Sequence, residues 1–420
     1  MPETGTAPVQ AVDGRQRTDT QEAGARSVAP LWWVWLAAWP ITAVFVLSNA
    51  ATPLYVLWQH DIGFSKGTLT VVFAFYIVGL IGSLLVSGVV SDRLGRKPVL
   101  LPALALALAA CLTFATATTV AALMVARLFT GIAVGAVVSA GMAAVTDVAG
   151  PARKRIAALI ASCAMVFGAG LGPLLAGVLS EAAPAPTVTV FVVEAVLLVT
   201  AVFAVLRMPV RRPEVRARGT WVRVPGVPRG NGRQLTLGVA VFAPGITATS
   251  FVLSLGPSLL SGLLHTTSRI VAGAMAFVMF LAATGVQFAV QRLSRRTILT
   301  AGAASTALSM ITLVVAVHTS SVSVLIVSAL LAGAGQGMGQ PGGLSLLNSS
   351  VPLQRLAEAN AALNVGGYIL AGILPVAAGY LSDAVGLTNG ATIFGAVLMG
   401  LAVIGGLIVR ATRRQVTDPA

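Results

Sequence analysis

The stretch Gly88-Val-Val-Ser-Asp-Arg-Leu-Gly-Arg-Lys97 decides the fold. It packs one acid, three basic residues and two glycines between two long apolar runs, each close to the ~20 residues that a helix needs to cross the hydrocarbon core. A charged turn in that setting reads as the junction of two membrane helices on one face of a bilayer.

Composition supports a membrane setting. The 420 residues are 56% hydrophobic and only 10% charged, with a mean hydropathy of +0.90, whereas charged residues alone make up about a quarter of soluble domains. The formal charge of +14 does not point to nucleic acid, because the basic residues form short clusters between apolar runs and no basic patch interleaved with aromatics occurs. Cys111 and Cys163 fall inside apolar runs without a neighbouring CxxC or histidine, and read as buried thiols. His60, His265 and His318 are scattered near span ends, so no metal site is expected. No cofactor site and no nucleophile–base spacing of an enzyme is found.

Hydropathy and length give spans at roughly 32-58, 68-90, 98-118, 119-148, 155-180, 186-207, 235-261, 269-291, 297-317, 321-347, 357-382 and 388-410. With both termini cytoplasmic, 24 of the 27 Lys and Arg residues fall on the inner side, as the retention of positive charge on that side requires. Lys66 and Arg269 fall outside, and Arg127 falls within the membrane. Residues 1-30 read as a disordered cytoplasmic tail, 31-207 as a first bundle of six helices, 208-234 as a Pro-, Gly- and Arg-rich linker, 235-411 as a second bundle and 412-420 as a short tail.

The two bundles look alike. Asp92-Arg-Leu-Gly-Arg-Lys97 aligns with Gln291-Arg-Leu-Ser-Arg-Arg296, and the run Gly170 to Ser180 aligns with Gly372 to Ser382 at a nearly equal offset. Repeats of this kind are the architecture of alternating-access transporters. The second loop lacks the acid, with Gln291 in its place, and Gln287 replaces the first glycine.

Arg127 is the basic residue set deep in a span. A charge there costs at least about 2.5 kcal/mol, so it should face the protein interior and have a task. It lies eight residues from the outer end, roughly 12 Å at helical rise, and Asn49 and Glu194 reach similar depth as candidate partners.

The opening run, as Gly88-x-x-x-Asp92-Arg93-x-Gly95-Arg96-Lys97, resembles the signature loop between helices 2 and 3 of the major facilitator superfamily. Two further patterns are similar to signatures of that family: Leu123-x-x-x-Arg127-x-x-x-Gly131-x-x-x-Gly135, and Gly168-x-x-x-Gly172-Pro173-x-x-Ala176-Gly177, which carries Ala where the antiporter pattern has its penultimate Gly. The resemblance is nearest to the twelve-span drug:proton antiporters. It implies an all-α membrane protein of twelve helices in two pseudo-symmetric bundles, acting as a monomer in the plasma membrane. The first loop would then serve as a latch between the halves, with Asp147 paired to Arg96. Arg127, with Glu194, would take part in proton coupling. Helices 1, 4, 7 and 10 would line a cavity, and Asn49, Thr247, Gln336, Gln340 and, from helix 11, Asn364 are its candidate substrate contacts. The same residues also suit plain interhelical hydrogen bonding, and the loop's basic residues suit plain inner-face anchoring. The function implied is proton-coupled efflux of a small amphipathic compound; the alternative is proton-coupled import of a sugar or organic acid. A receptor would be expected to add a folded signalling domain.

Overall fold

The computed structural model describes residues 30–209, 221–263, 265, 268–352 and 355–412. Most of the expected tails and the middle of the expected linker lie outside these residues. Twelve helical spans are long and apolar enough to cross a membrane, and we number them in order: α1 (Leu31–Gly63), α2 (Lys66–Leu94), α3 (Lys97–Ala115), α4 (Val120–Ala149), α5 (Pro151–Ala182), α6 (Pro186–Arg207), α7 (Gly232–Gly262), α8 (Arg269–Ala289), α9 (Arg295–Thr319), α10 (Val322–Ser350), α11 (Leu356–Val385) and α12 (Leu387–Ala411). Their apolar character all round, rather than on one stripe, is what a lipid environment demands, since backbone groups there must be satisfied within the helix. Several spans run a few residues beyond the apolar core, because polar N-caps such as Ser65, Thr119, Ser294 and Ser321 begin helices outside the apolar run. We call the face that carries the Gly95–Lys97 loop the inner face.

Within each half the same pairs of helices pack: α2 on α4 and α8 on α10, α1 on α5 and α7 on α11, α3 on α6 and α9 on α12. The halves meet through α5 against α8 and α2 against α11. Matched glycines set the crossings. A Cβ on Gly131 would collide with the carbonyl oxygen of Tyr76, and one on Gly135 would lie 2.8 Å from Leu80 O. In the second half Gly333 is set against Met279 O and Gly337 against Ala283 O in the same way. Between helices already surrounded by hydrocarbon, such close backbone approach is a main source of attraction.

Two spans are irregular. The α-helix that opens α1 ends at Ala50, gives way to a 3₁₀ turn at Thr52–Leu54, and finishes with a π turn at Gln59–Gly63. Pro53 explains the break, since it lacks an N–H to continue the ladder. In α4 a π turn at Val137–Gly141 interrupts the helix and shifts the phase of Met142–Ala149.

The α2/α4 crossing yields a direct test. Gly131→Val should destabilise the protein by at least about 1–3 kcal/mol through overpacking, lowering the thermal midpoint of the detergent-solubilised protein. Gly82→Ala, on α2 but with nothing within 4 Å of the new methyl, should not lower the midpoint and should raise it slightly, since Ala is the better helix former.

Candidate functional site

Two polar centres stand out, one at the inner face and one inside the first half.

At the inner face, α2 ends at Leu94 and Gly95 takes φ +98°, a conformation that side chains rarely adopt. The turn brings Arg96 back beneath α2, where Nη1 donates to Asp92 Oδ1 at 2.8 Å and to Ser91 Oγ at 2.9 Å. Its Nε donates to Asp147 Oδ2 at 2.8 Å, which the rotated last segment of α4 presents. Burial pulls the Arg96 pKa down, but the hydrogen bonds and charges of Asp147 and Asp92 outweigh it and hold the pKa above its ordinary value. A guanidinium keeps its proton in proteins, so Arg96 is the fixed cation of this centre. Lys97 Nζ donates to Leu206 O at 2.7 Å, capping the end of α6.

The linker joins this centre, which sequence reasoning did not foresee. Arg93 stacks over the Trp221 ring at 4.4 Å. Arg223 N donates to Leu85 O at 2.7 Å, its Nη2 stands 3.7 Å from Asp92 Oδ2, and its Nη1 fills the space that a Cβ on Gly88 would need. Gly226 N then donates to Glu358 O on α11. In the repeat copy Arg295 Nη1 donates to the hydroxyl of Ser349, which stands where Asp147 does, 202 residues on.

Inside the first half, Arg127 is wholly buried. Its Nη1 donates to Ser48 O at 2.6 Å and its Nε to the Tyr55 hydroxyl at 2.5 Å. The rings of Tyr55, Phe73, Tyr76 and Phe114 lie 5.1–5.9 Å from its Cζ, so cation–π attraction offsets part of the desolvation. Nη2 has no hydrogen-bond partner among the described residues.

The partners expected for Arg127 differ from those found. Asn49 turns its amide to Ser48 Oγ and Ala169 O. Glu194 is separated by a ring stack: Phe114, 5.9 Å from the Arg127 Cζ, lies 4.7 Å from Phe191, one turn before Glu194 on α6. The reason lies in the α1 break. A helix end leaves its last carbonyls without intrahelical donors, and in a membrane interior the guanidinium supplies one to Ser48. Glu194 is itself 2% exposed, with one carboxyl oxygen unpartnered. Tyr55 and Tyr76 were overlooked, although the chain has only four tyrosines and a hydroxyl within an apolar span is a visible signal.

The remaining candidates divide into two groups. Gly168 and Gly172 sit against the carbonyls of Thr42 and Val46 on α1, while Pro173 O meets Gly273 and Gly177 meets Arg269 O on α8. This seam thus serves both the first bundle and the contact between halves. Of the cavity candidates, Thr247 is fully buried and donates to Ala243 O, and Asn49 is committed as above. Gln336, Gln340 and Asn364 are partly exposed, and Gln340 Nε2 donates to Asn364 Oδ1 at 3.4 Å.

A family model described as Major Facilitator Superfamily matches residues 34–286 and 234–420. The chain belongs to the major facilitator superfamily. Across 104 residues it is 35% identical to the 3-(3-hydroxy-phenyl)propionate transporter of Escherichia coli (strain K12); the match spans 25% of this chain and 26% of that protein. Among solved structures, a POT family transporter in complex with 5-aminolevulinic acid aligns with a TM-score of 0.74 at 13% identity, over 92% of this chain and 96% of that one. A D-xylose-proton symporter aligns at 0.66 and 18% identity, over 89% and 97%. The superfamily member described here is accordingly a multi-pass membrane transporter with the twelve-helix fold of that family.

The Arg127 cage predicts a measurable cost. Tyr55→Phe removes the acceptor of Nε and leaves a second buried donor unpaired, which should destabilise the protein by about 1–3 kcal/mol. A thermal midpoint equal to that of the wild type would show that the hydroxyl contributes nothing.

Proposed function

We propose that this transporter exports a small amphipathic compound in exchange for protons, by alternating exposure of a site between its two halves. The observation that carries the reading is the wholly buried Arg127. The repeat copy keeps both glycines of that crossing, Gly333 and Gly337, but has Ala329 where Arg127 stands. The helix crossing therefore does not need the charge, and retaining it against its insertion cost points to a task. A guanidinium keeps its proton in proteins, so Arg127 is the fixed charge, and Glu194 is the buried carboxyl available to carry a proton. A conformational change that alters what surrounds such a carboxyl changes its proton affinity, because burial and nearby charge act in opposite senses. Gln336, Gln340 and Asn364 supply amides for a polar group of the cargo. The loop around Asp92, Arg96 and Asp147 acts as the inner latch of the cycle. The seam Gly168 to Gly177 supports export, through its resemblance to the antiporter pattern.

A second reading is import of an organic acid. Its support is the local similarity to a transporter named for a phenylpropionate, together with the unpartnered Nη2 of Arg127, which a carboxylate would satisfy. Accumulation in intact cells separates the two, falling with expression for export and rising for import.

Proton coupling is tested in proteoliposomes carrying a pH gradient and a pH-sensitive dye, with candidate compounds added. Arg127→Ala should insert normally and lose gradient-driven transport by at least ten-fold. Transport indifferent to the gradient in the wild-type protein would sink the coupling, and unchanged transport in the variant would remove Arg127 from it.

A further inference from the structure

The face opposite the latch carries an arrangement that the functional reading does not use. Glu181, in the last turn of α5, reaches across to the start of α8 in the other half. Its Oε1 accepts from Ser268 Oγ at 2.9 Å, from Ile270 N at 3.1 Å and from Arg269 N. Asp383, in the last turn of α11, reaches back to the start of α2, where its two oxygens accept from Lys66 N at 3.1 Å and Gly67 N at 2.8 Å. The two carboxylates stand 202 residues apart in the chain, the offset that relates the repeats.

Three observations separate this from ordinary helix capping. First, α2 and α8 already have N-caps of their own, Ser65 and Ser268, whose hydroxyls accept from Thr68 N and Val271 N. The starts of α4, α9 and α10 make do with such a cap. Secondly, each carboxylate comes from the opposite half, so every one of these bonds breaks when the halves part at this face. Thirdly, glycine lets the backbones close beneath each one: a Cβ on Gly177 would lie 2.5 Å from Arg269 O, and one on Gly379 would lie 2.9 Å from Lys66 O. Arg269 Nη2 adds a bond back to Ser180 O at 2.7 Å. A helix N-terminus carries partial positive charge and free N–H groups, so an ionised carboxylate seated there is held by both.

We propose that Glu181 and Asp383 form a two-fold-related pair of outer clasps, each a carboxylate of one half seated on a helix N-terminus of the other, which hold the transporter closed to the outside. The clasps are the outer counterpart of the inner latch. They set the ratio of outward-closed to outward-open states without touching cargo.

The proposal rests on the alternating-access reading above, and the test keeps the two apart. Full-length protein with Cys111→Ala and Cys163→Ala is spin-labelled in nanodiscs at Thr118→Cys, on the loop between α3 and α4, and at Thr319→Cys, the outer end of α9 in the opposite half. A second sample carries labels at Ala152→Cys, in the first turn of α5, and at Arg292→Cys, on the loop between α8 and α9, both at the inner face. Distances are read by pulsed electron paramagnetic resonance. Glu181→Gln and Asp383→Asn should each raise the ratio of long to short outer distance about three-fold, in line with loss of one charge at a helix terminus. Together they should raise it about ten-fold, since the sites are independent, with the inner distances shortening in step. Asp61→Asn, an exposed outer carboxylate paired with His60, should change nothing. Wild-type protein that samples two outer distances, with a ratio that both variants leave unmoved, overturns the clasps alone, even if its thermal midpoint falls. A single distance on each face in every variant overturns the alternating-access reading as well. Should the double variant fail to fold, the ratio in either single variant decides.

Discussion

Helices that already sit in hydrocarbon gain little from burying one another, so their association depends on how closely their backbones can approach. In this protein that constraint is met at glycines facing carbonyls. Gly131 against Tyr76 and Gly135 against Leu80 fix α4 on α2, and Gly333 against Met279 and Gly337 against Ala283 fix α10 on α8. Gly172 against Val46 joins α5 to α1, and Gly273 against Pro173 O joins the halves themselves. A side chain at any of these positions forces apart two elements whose packing positions everything else. The crossing of α4 over α2 brings Arg127 beside Tyr76 and Phe73, with Tyr55 added from α1, and the same crossing leads Asp147 to Arg96 at the inner face.

The repeat separates what is structural from what is specific. Where both copies agree, as at the paired glycines, the residues serve the architecture. Where they differ, a chemical task falls to one half. Ala329 in place of Arg127 shows that the crossing closes without a cation. Ser349 in place of Asp147 offers the arginine a hydroxyl where the first copy offers a carboxylate. The outer face, by contrast, keeps an acid in both copies, Glu181 and Asp383. Among these positions the copies differ at the inner face and in the interior of the first half, and agree in carrying an acid at the outer face.

Much of this was legible in the sequence, for identifiable reasons. Twelve spans follow from hydropathy, because in lipid the apolar run and the helix are nearly the same object. The repeat followed from two matches at nearly one offset, and the Arg96–Asp147 pairing followed from the signature loop. The partners of Arg127 did not, because depth in a membrane fixes only one coordinate. Helical phase fixes the others, and Pro53 resets the phase of α1 between Asn49 and Tyr55. The acceptor that Arg127 finds at Ser48 is moreover a backbone carbonyl, which no side-chain pattern reveals. The linker's grip on the loop through Trp221 and Arg223 was illegible for a different reason. A Pro- and Gly-rich segment carries no periodicity from which its docking can be read.

The linker and the clasps act on opposite faces with different chemistry, and that difference has a mechanical consequence. At the inner face the described contacts between halves pass through a chain segment, from Asp92 and Leu85 by way of Arg223 to Gly226 and Glu358. Such a segment can span a gap while the helices beside it stand apart. At the outer face the contacts are direct, helix end to helix end, with no slack: Glu181 and Asp383 bond to backbone N–H groups whose positions the helices dictate. Hydrogen bonds of this length cannot persist through a separation of more than about an ångström. On the proposed cycle the outer contacts break together as the halves part, because each is a direct bond between helix ends, while the linker can keep its own contacts at the inner face. The carboxylates sit at the ends of the glycine-lined seams of α5 with α8 and of α2 with α11, so that side joins the halves helix to helix, whereas the inner side joins them through the linker.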